Sequence, residues 1–170
     1  MNLTRRTILC GLIAVLALIA DPLGQPTYAA GPDQIFTIAP CRAVDTRIAG
    51  GPIPSSSSRS FNVVGTLANQ GGQSTCGIPS NAQAVFLNIV AVSPSAAGYL
   101  TVYPYPGPLP ATSTLNFGAG QNLANGALSP ICDSSTTTCS SDLIVSMGGA
   151  SANIVIDITG YIAASSSGTN

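Results

Sequence analysis

The 170-residue sequence contains no histidine, lysine, glutamate or tryptophan, and each absence closes off a kind of chemistry. With histidine and glutamate missing, the usual general bases near neutral pH are gone and aspartate alone is left for acid–base work. No Gly-x-Ser-x-Gly elbow occurs among the many serines, so a hydrolase is the least favoured of the three roles weighed below. With lysine missing and five arginines in all, the chain is poorly equipped to neutralise a run of phosphates. That argues against nucleic acid and against an anionic membrane surface as partners. Zinc calls for close-set cysteine pairs or histidines, and the sequence has neither Cys-x-x-Cys nor histidine, so no metal or other cofactor is expected. Past residue 30 no stretch shows the 3.6-residue apolar period of an amphipathic helix.

What is present begins with an export signal. Arg5 and Arg6 precede an apolar run from Ile8 to Ala20, and a Pro/Gly-containing stretch then ends in Thr27-Tyr28-Ala29-Ala30, the three regions of a cleavable signal peptide. As a helix the run would reach about 20 Å, short of the roughly 30 Å of a bilayer core. Thr27 and Ala29 suit cleavage before Ala30, which makes residues 1–29 the signal and removes Cys10. Cys10 opens the apolar run, whereas a lipobox cysteine would follow it, so a lipoprotein is not expected. Thr4-Arg5-Arg6-Thr7-Ile8-Leu9 also resembles a twin-arginine motif, but the strongly apolar core favours the general secretory route. The expected location is extracellular or at the cell surface, without membrane contact after cleavage.

The remaining chain carries Arg42, Arg47 and Arg59 against Asp33, Asp45, Asp133, Asp142 and Asp157, a net charge of −2. It keeps four cysteines, an even number suited to an oxidising compartment. Three pairings are open. The polar Asp-Ser-Ser-Thr-Thr-Thr between Cys132 and Cys139 reads as a loop closed by a disulfide, which leaves Cys41 for Cys76.

Val, Ile, Thr and Tyr cluster in short runs broken by Gly, Pro, Ser and Asn, the pattern of an all-β domain. Strands are predicted near 34–38, 60–65, 84–92, 99–103, 113–117, 122–128, 142–147 and 153–161. Those at 84–92 and 153–161 are richest in Val, Ile and Leu, and are predicted to be central and buried on both faces. Ser93–Gly98 has the length of a hairpin loop, so 84–92 is expected to pair with 99–103. Pro104–Pro110 and Gly51–Ser58 read as exposed stiff loops because proline lacks the ladder donor, and 163–170 as a disordered polar tail. One domain over 30–162 follows from length: all-β, an antiparallel β-sandwich of jelly-roll-like form, stabilised by disulfides.

Several segments recur as blocks. Pro40-Cys-Arg-Ala-Val-Asp-Thr-Arg47, Cys76-Gly-Ile-Pro79 with Ala84-Val-Phe-Leu-Asn88, Gly98-Tyr-Leu-Thr-Val-Tyr-Pro104 with Ser113-Thr-Leu-Asn-Phe117, and Asn153-Ile-Val-Ile-Asp-Ile-Thr-Gly-Tyr161 follow one another along the chain. Together they resemble a secreted bacterial β-domain family in which Pro-Cys-Arg-x-x-Asp-Thr-Arg, Cys-Gly-Ile-Pro, Gly-Tyr-Leu-Thr-Val-Tyr-Pro, Ser-Thr-Leu-Asn-Phe and a closing Asp-Val-Thr-Gly-Tyr stand in that order, alone or attached to exported cell-envelope proteins. The resemblance covers nearly all of the chain after residue 30 and leaves the Cys132–Cys139 insertion unmatched. It implies an exported β-domain without an established activity. It also implies that Cys41 pairs with Cys76, since both lie in recurring blocks, and then Cys132 with Cys139.

Arg42, Asp45 and Arg47 form the densest charge cluster in the chain. Either arginine could grip a ligand carboxylate with Asp45 orienting it, or Asp45 could pair internally and fix its strand; the internal pair is preferred. Asp157 and Asn88 interrupt the two apolar strands, and a carboxylate there needs donors, which Asn88 with Arg42 or Arg47 would supply in a buried network. Tyr99, Tyr103 and Tyr105 border the proline loop, with Tyr99 and Tyr103 on one face by alternation. They could offer rings to a sugar or a protein, but the preferred reading packs that face inward and leaves Tyr105 alone exposed. Asp133 and Asp142 flank the small disulfide loop, too few carboxylates for a firm calcium site. The expected role is a non-enzymatic extracellular structural or adhesion module, able to form homo-oligomers or to contact envelope and glycan surfaces because few charges repel. A carbohydrate-binding module using the tyrosines with Arg42 or Arg47 is the alternative.

Overall fold

The computed structural model describes residues 32–165. The expected signal peptide with Cys10, and residues 166–170 of the expected tail, lie outside them. The strands are β1 Asp33–Asp45, β2 Ser58–Phe61, β3 Ala82–Val92, β4 Gly98–Pro104, β5 Leu115–Phe117, β6 Leu123–Pro130, β7 Leu143–Gly148 and β8 Asn153–Ala164, with one 3-10 turn at Ala68–Gln70. All ladders are antiparallel. One sheet has the order β1-β8-β3-β6 and the other β2-β7-β4-β5. The pairs β1/β8, β2/β7, β3/β6 and β4/β5 make one long ribbon, rolled so that alternate pairs fall on opposite sheets, and this is the strand order of a jelly roll.

Alternation along the strands builds the core. Val85, Leu87 and Ile89 of β3 and Ile154, Ile156 and Ile158 of β8 point to one side, and Leu100 of β4 with Val145 and Met147 of β7 meet them from the other sheet. Each such aliphatic side chain contributes about 1.5–3 kcal/mol by leaving water. Disulfides join Cys41 to Cys76 and Cys132 to Cys139, with Cα separations of 5.6 and 5.9 Å, bonds that belong to an oxidising environment. Among the described residues no helix is long and apolar enough to cross a membrane.

β8 and β3 are the two central strands of their sheet, but their outer positions, including Phe86, Asn88, Val90 and Asp157, are only half-buried, because among the described residues no further layer covers that face. The expected hairpin between 84–92 and 99–103 does not form. β3 is already paired on both edges, with β6 and β8, and the intervening segment instead crosses to the other sheet, where β4 lies between β7 and β5. β1 runs on to Asp45, past register irregularities between Thr37 and Cys41 and between Arg42 and Val44; Pro40, without a donor, falls in the first of them. β2 stops at Phe61 rather than Gly65, because the amides of Val63 and Val64 bond to the Asp142 carboxylate instead of to a strand. The 51–58 loop is not simply exposed: Ile53 is fully buried and bridges Ala152. Ala163 and Ala164, expected in the tail, belong to β8 and pair with Gln34 and Asp33.

Candidate functional site

β8 lies between β1 and β3, so its register sets Asp157 opposite Arg42 on one side and opposite Asn88 on the other, and directly opposed residues share a face. The Arg42 guanidinium forks onto Asp157, Nε donating to Oδ1 at 2.7 Å and Nη2 to Oδ2 at 3.1 Å, while Nη1 reaches Asp45 Oδ2 at 3.2 Å. Arg47 forks onto Asp45 in turn, Nε to Oδ1 at 2.8 Å and Nη2 to Oδ2 at 2.6 Å, and its backbone amide donates to the same carboxylate. Asp45 itself is 1 % exposed. Gly71, at φ +80°, packs so closely on it that a Cβ there would run into the Asp45 carbonyl oxygen.

Two arginines and two aspartates thus close on each other. The Arg47 guanidinium holds the Asp45 carboxyl below its ordinary value against the opposing effect of burial, and the hydrogen bond to Asp157 raises Arg42 further above its already high one. The expected network forms without Asn88 and not at depth: the side chains of Arg42 and Asp157 are 38 % and 23 % exposed, so it lies on the outer surface of the sheet. Asn88 stands beside Asp157, yet no hydrogen bond joins their side chains. Neither arginine lines the cleft beside Tyr99 or the one beside the Cys132–Cys139 loop.

The other charges are engaged in the same way. Arg59 donates to the carbonyls of Gly51 and Pro52, and Asp33 accepts from Gln83. Asp142 Oδ2 accepts the amides of Val63 and Val64 at 2.7 and 2.8 Å. Asp133 accepts from Ser135 and Thr136 within its own loop, and Ser135 holds its carboxyl below the ordinary value. Asp133 and Asp142 therefore face different donors rather than a shared cation, and no group of three or more His, Cys, Asp or Glu able to hold a metal occurs among the described residues.

The tyrosines separate. Leu100 of β4 points into the core, so Tyr99, Thr101 and Tyr103 alternate onto the opposite, outer face of the second sheet. They do not pack inward as expected. The proline loop instead folds back over part of this face: Thr101 Oγ1 donates to the Thr112 carbonyl at 2.7 Å, and Tyr103 is covered near Gly107, 8 % exposed. Tyr105 is half-buried, its amide bonded to the Asp142 carbonyl. Tyr99 remains 46 % exposed, and its ring lies over Gly148 in the space a Cβ at that position would occupy. A cleft of about 460 Å³ opens between Tyr99 and the returning loop, lined also by Leu109, Thr112, Ser113 and Asn116 and by no charged residue. Asn116 is the register partner of Tyr99 across β4 and β5. Spacing marks none of these neighbours in advance, and the predicted strand 142–147 stops one residue short of Gly148.

A larger cleft, about 590 Å³, runs between Ser80–Gln83 and the Cys132–Cys139 loop. Its one carboxylate, Asp133, is turned back onto Ser135 and Thr136. Comparison with protein-family models, with curated proteins and with solved structures found no match to this chain.

Proposed function

We propose that this chain is a non-enzymatic structural or adhesion module of the bacterial cell surface or extracellular matrix, carried there by the signal sequence of residues 1–29. The observation behind this reading is that every charged side chain among the described residues is engaged by the protein's own groups. Acid–base catalysis needs a group free to take or give a proton, and every aspartate among the described residues accepts hydrogen bonds from the chain itself. What faces outward is largely hydroxyl, amide and small apolar surface, with little charge to repel a neighbouring surface. Two disulfides suit a fold that must persist outside the cell. The resemblance to blocks attached to exported envelope proteins supports the same role. Fractionation of cells expressing the full-length chain is the test. The protein is expected outside the cytoplasm, beginning at Ala30 and retained on envelope material, with no turnover of esters, glycosides or peptides; cytoplasmic retention or sustained turnover overturns the reading.

A second reading, a carbohydrate-binding module, is favoured by one arrangement, the half-exposed ring of Tyr99 beside the uncharged side chains of its cleft. Rings of this kind stack on the apolar faces of sugars while amides and hydroxyls bond the rims. Binding to a glycan array that is lost in Tyr99→Ala and kept in Arg47→Met would place the site here and not at the arginines.

A further inference from the structure

A sandwich of two open sheets has four edges, and an unpaired edge is a template for another strand unless it is short, bulged, charged or covered. Three of the four are protected here. β2 and β5 have only four and three residues. β1 is interrupted twice in its register, carries Asp33, Arg42 and Asp45, and is covered where Gln73 donates its amide to the Arg42 carbonyl and Gln70 its side-chain amide to the Ala43 carbonyl.

β6 has none of these protections. Its eight residues, Leu123–Pro130, include no charge and no proline before the last position. The Ile131 amide donates to the Gln83 carbonyl at 3.0 Å, and alternation from that bond turns the amides and carbonyls of Ala124, Gly126 and Leu128 away from β3. Among the described residues no backbone bond from elsewhere reaches these three, and all three are exposed.

We infer that the β6 edge pairs with the β6 edge of a second copy of this chain, an inference that rests on the adhesion reading and gives it a surface. An antiparallel pair centred on Gly126 sets Gly126 opposite its own copy and Ala124 opposite Leu128, closing about six main-chain hydrogen bonds. A twofold axis makes the edge complementary to itself. It also brings the large Leu128, 50 % exposed in the single chain, beside the small Ala124 of the other copy. The two four-stranded sheets then run on as one.

Proline at position 126 removes an outward donor without touching the β3 ladder, since proline is tolerated on a strand edge whose amide faces solvent. Sedimentation of the exported protein over a concentration series is expected to show dimers for wild type, dimers for Gly126→Val, which keeps the donor, and at least roughly tenfold weaker association for Gly126→Pro. Hydrogen exchange should slow at the amides of Ala124, Gly126 and Leu128 as concentration rises. Unchanged association of Gly126→Pro, with its fold verified by an unshifted melting curve, overturns the inference and leaves the adhesion reading standing. A wild type monomeric throughout overturns it as well, and envelope retention then judges the reading separately.

Discussion

The two outer faces of the sandwich use their side chains in opposite ways. On the β1-β8 side Arg42, Asp45, Arg47 and Asp157 turn their donors and acceptors onto one another. On the β4-β7 side a tyrosine half open to solvent borders a cleft in which no residue is charged. The densest charge in the sequence is therefore turned onto itself, and the uncharged cleft is assembled from plain residues that only the fold brings together.

The comparison breaks most decisively at Asp45. Replacing it with alanine leaves the Arg47 guanidinium without its carboxylate and takes one bond from Arg42, which keeps its fork onto Asp157. Removing one member of a buried ion pair costs about 3–5 kcal/mol, and the exposure of the arginine side chains, 38 % and 49 %, brings the expected loss nearer to about 2–3 kcal/mol by urea denaturation. A loss under about 0.5 kcal/mol, the range of ordinary surface changes, would mean that the cluster is not scaffold. A smaller effect follows with acid. The folded Asp45 carboxyl is held below its ordinary value of 3.8, so the unfolded chain takes up the proton first. The stability this carboxylate contributes is complete above that value and drains away as pH falls through it toward the lower folded one. Arg42 and Arg47, both raised, stay charged throughout. Urea midpoints measured between pH 6 and pH 2.5 should therefore fall less steeply in Asp45→Asn than in wild type.

The all-β class, the centrality of β3 and β8 and the Cys132–Cys139 disulfide were legible from local information, namely aliphatic runs, turn residues and the polarity of a short loop, whereas Cys41–Cys76 followed only by elimination and from the block resemblance. The partners of β3 were not. A six-residue connection between strands reads equally as a hairpin or as a crossing between sheets, and the choice is made by β6 and β8 claiming both edges of β3. A contact of Asp157 with Arg42 or Arg47 was legible from charge scarcity, since so few cations are present to satisfy a carboxylate in an aliphatic strand, and the fold selects Arg42. The depth of that contact was not legible, because burial on the outer face depends on a further layer, and among the described residues none covers it. The Tyr99 cleft was invisible in spacing for a related reason: Leu109 reaches it because the proline loop doubles back and Asn116 because β5 pairs with β4, and the returning chain is held there by bonds between Leu100–Val102 and Thr112–Thr114.

The finest test of the open face turns on Gly148 and its neighbour. Glycine within a strand ordinarily costs about 0.5–1 kcal/mol relative to alanine, so Gly148→Ala taken alone should stabilise β7. Here the added methyl meets the Tyr99 ring, and moving that ring off its seat should reverse the sign, giving a loss of about 1 kcal/mol. Tyr99→Ala, at a residue 46 % exposed, should cost about 1 kcal/mol or less through its limited burial. In the Tyr99→Ala background the obstruction is gone, and Gly148→Ala should then become neutral or stabilising. Four proteins and one denaturation midpoint for each give the coupling directly. Strict additivity would mean that the ring does not rest on Gly148, and the face opposite the charge cluster would lose the feature that sets it apart.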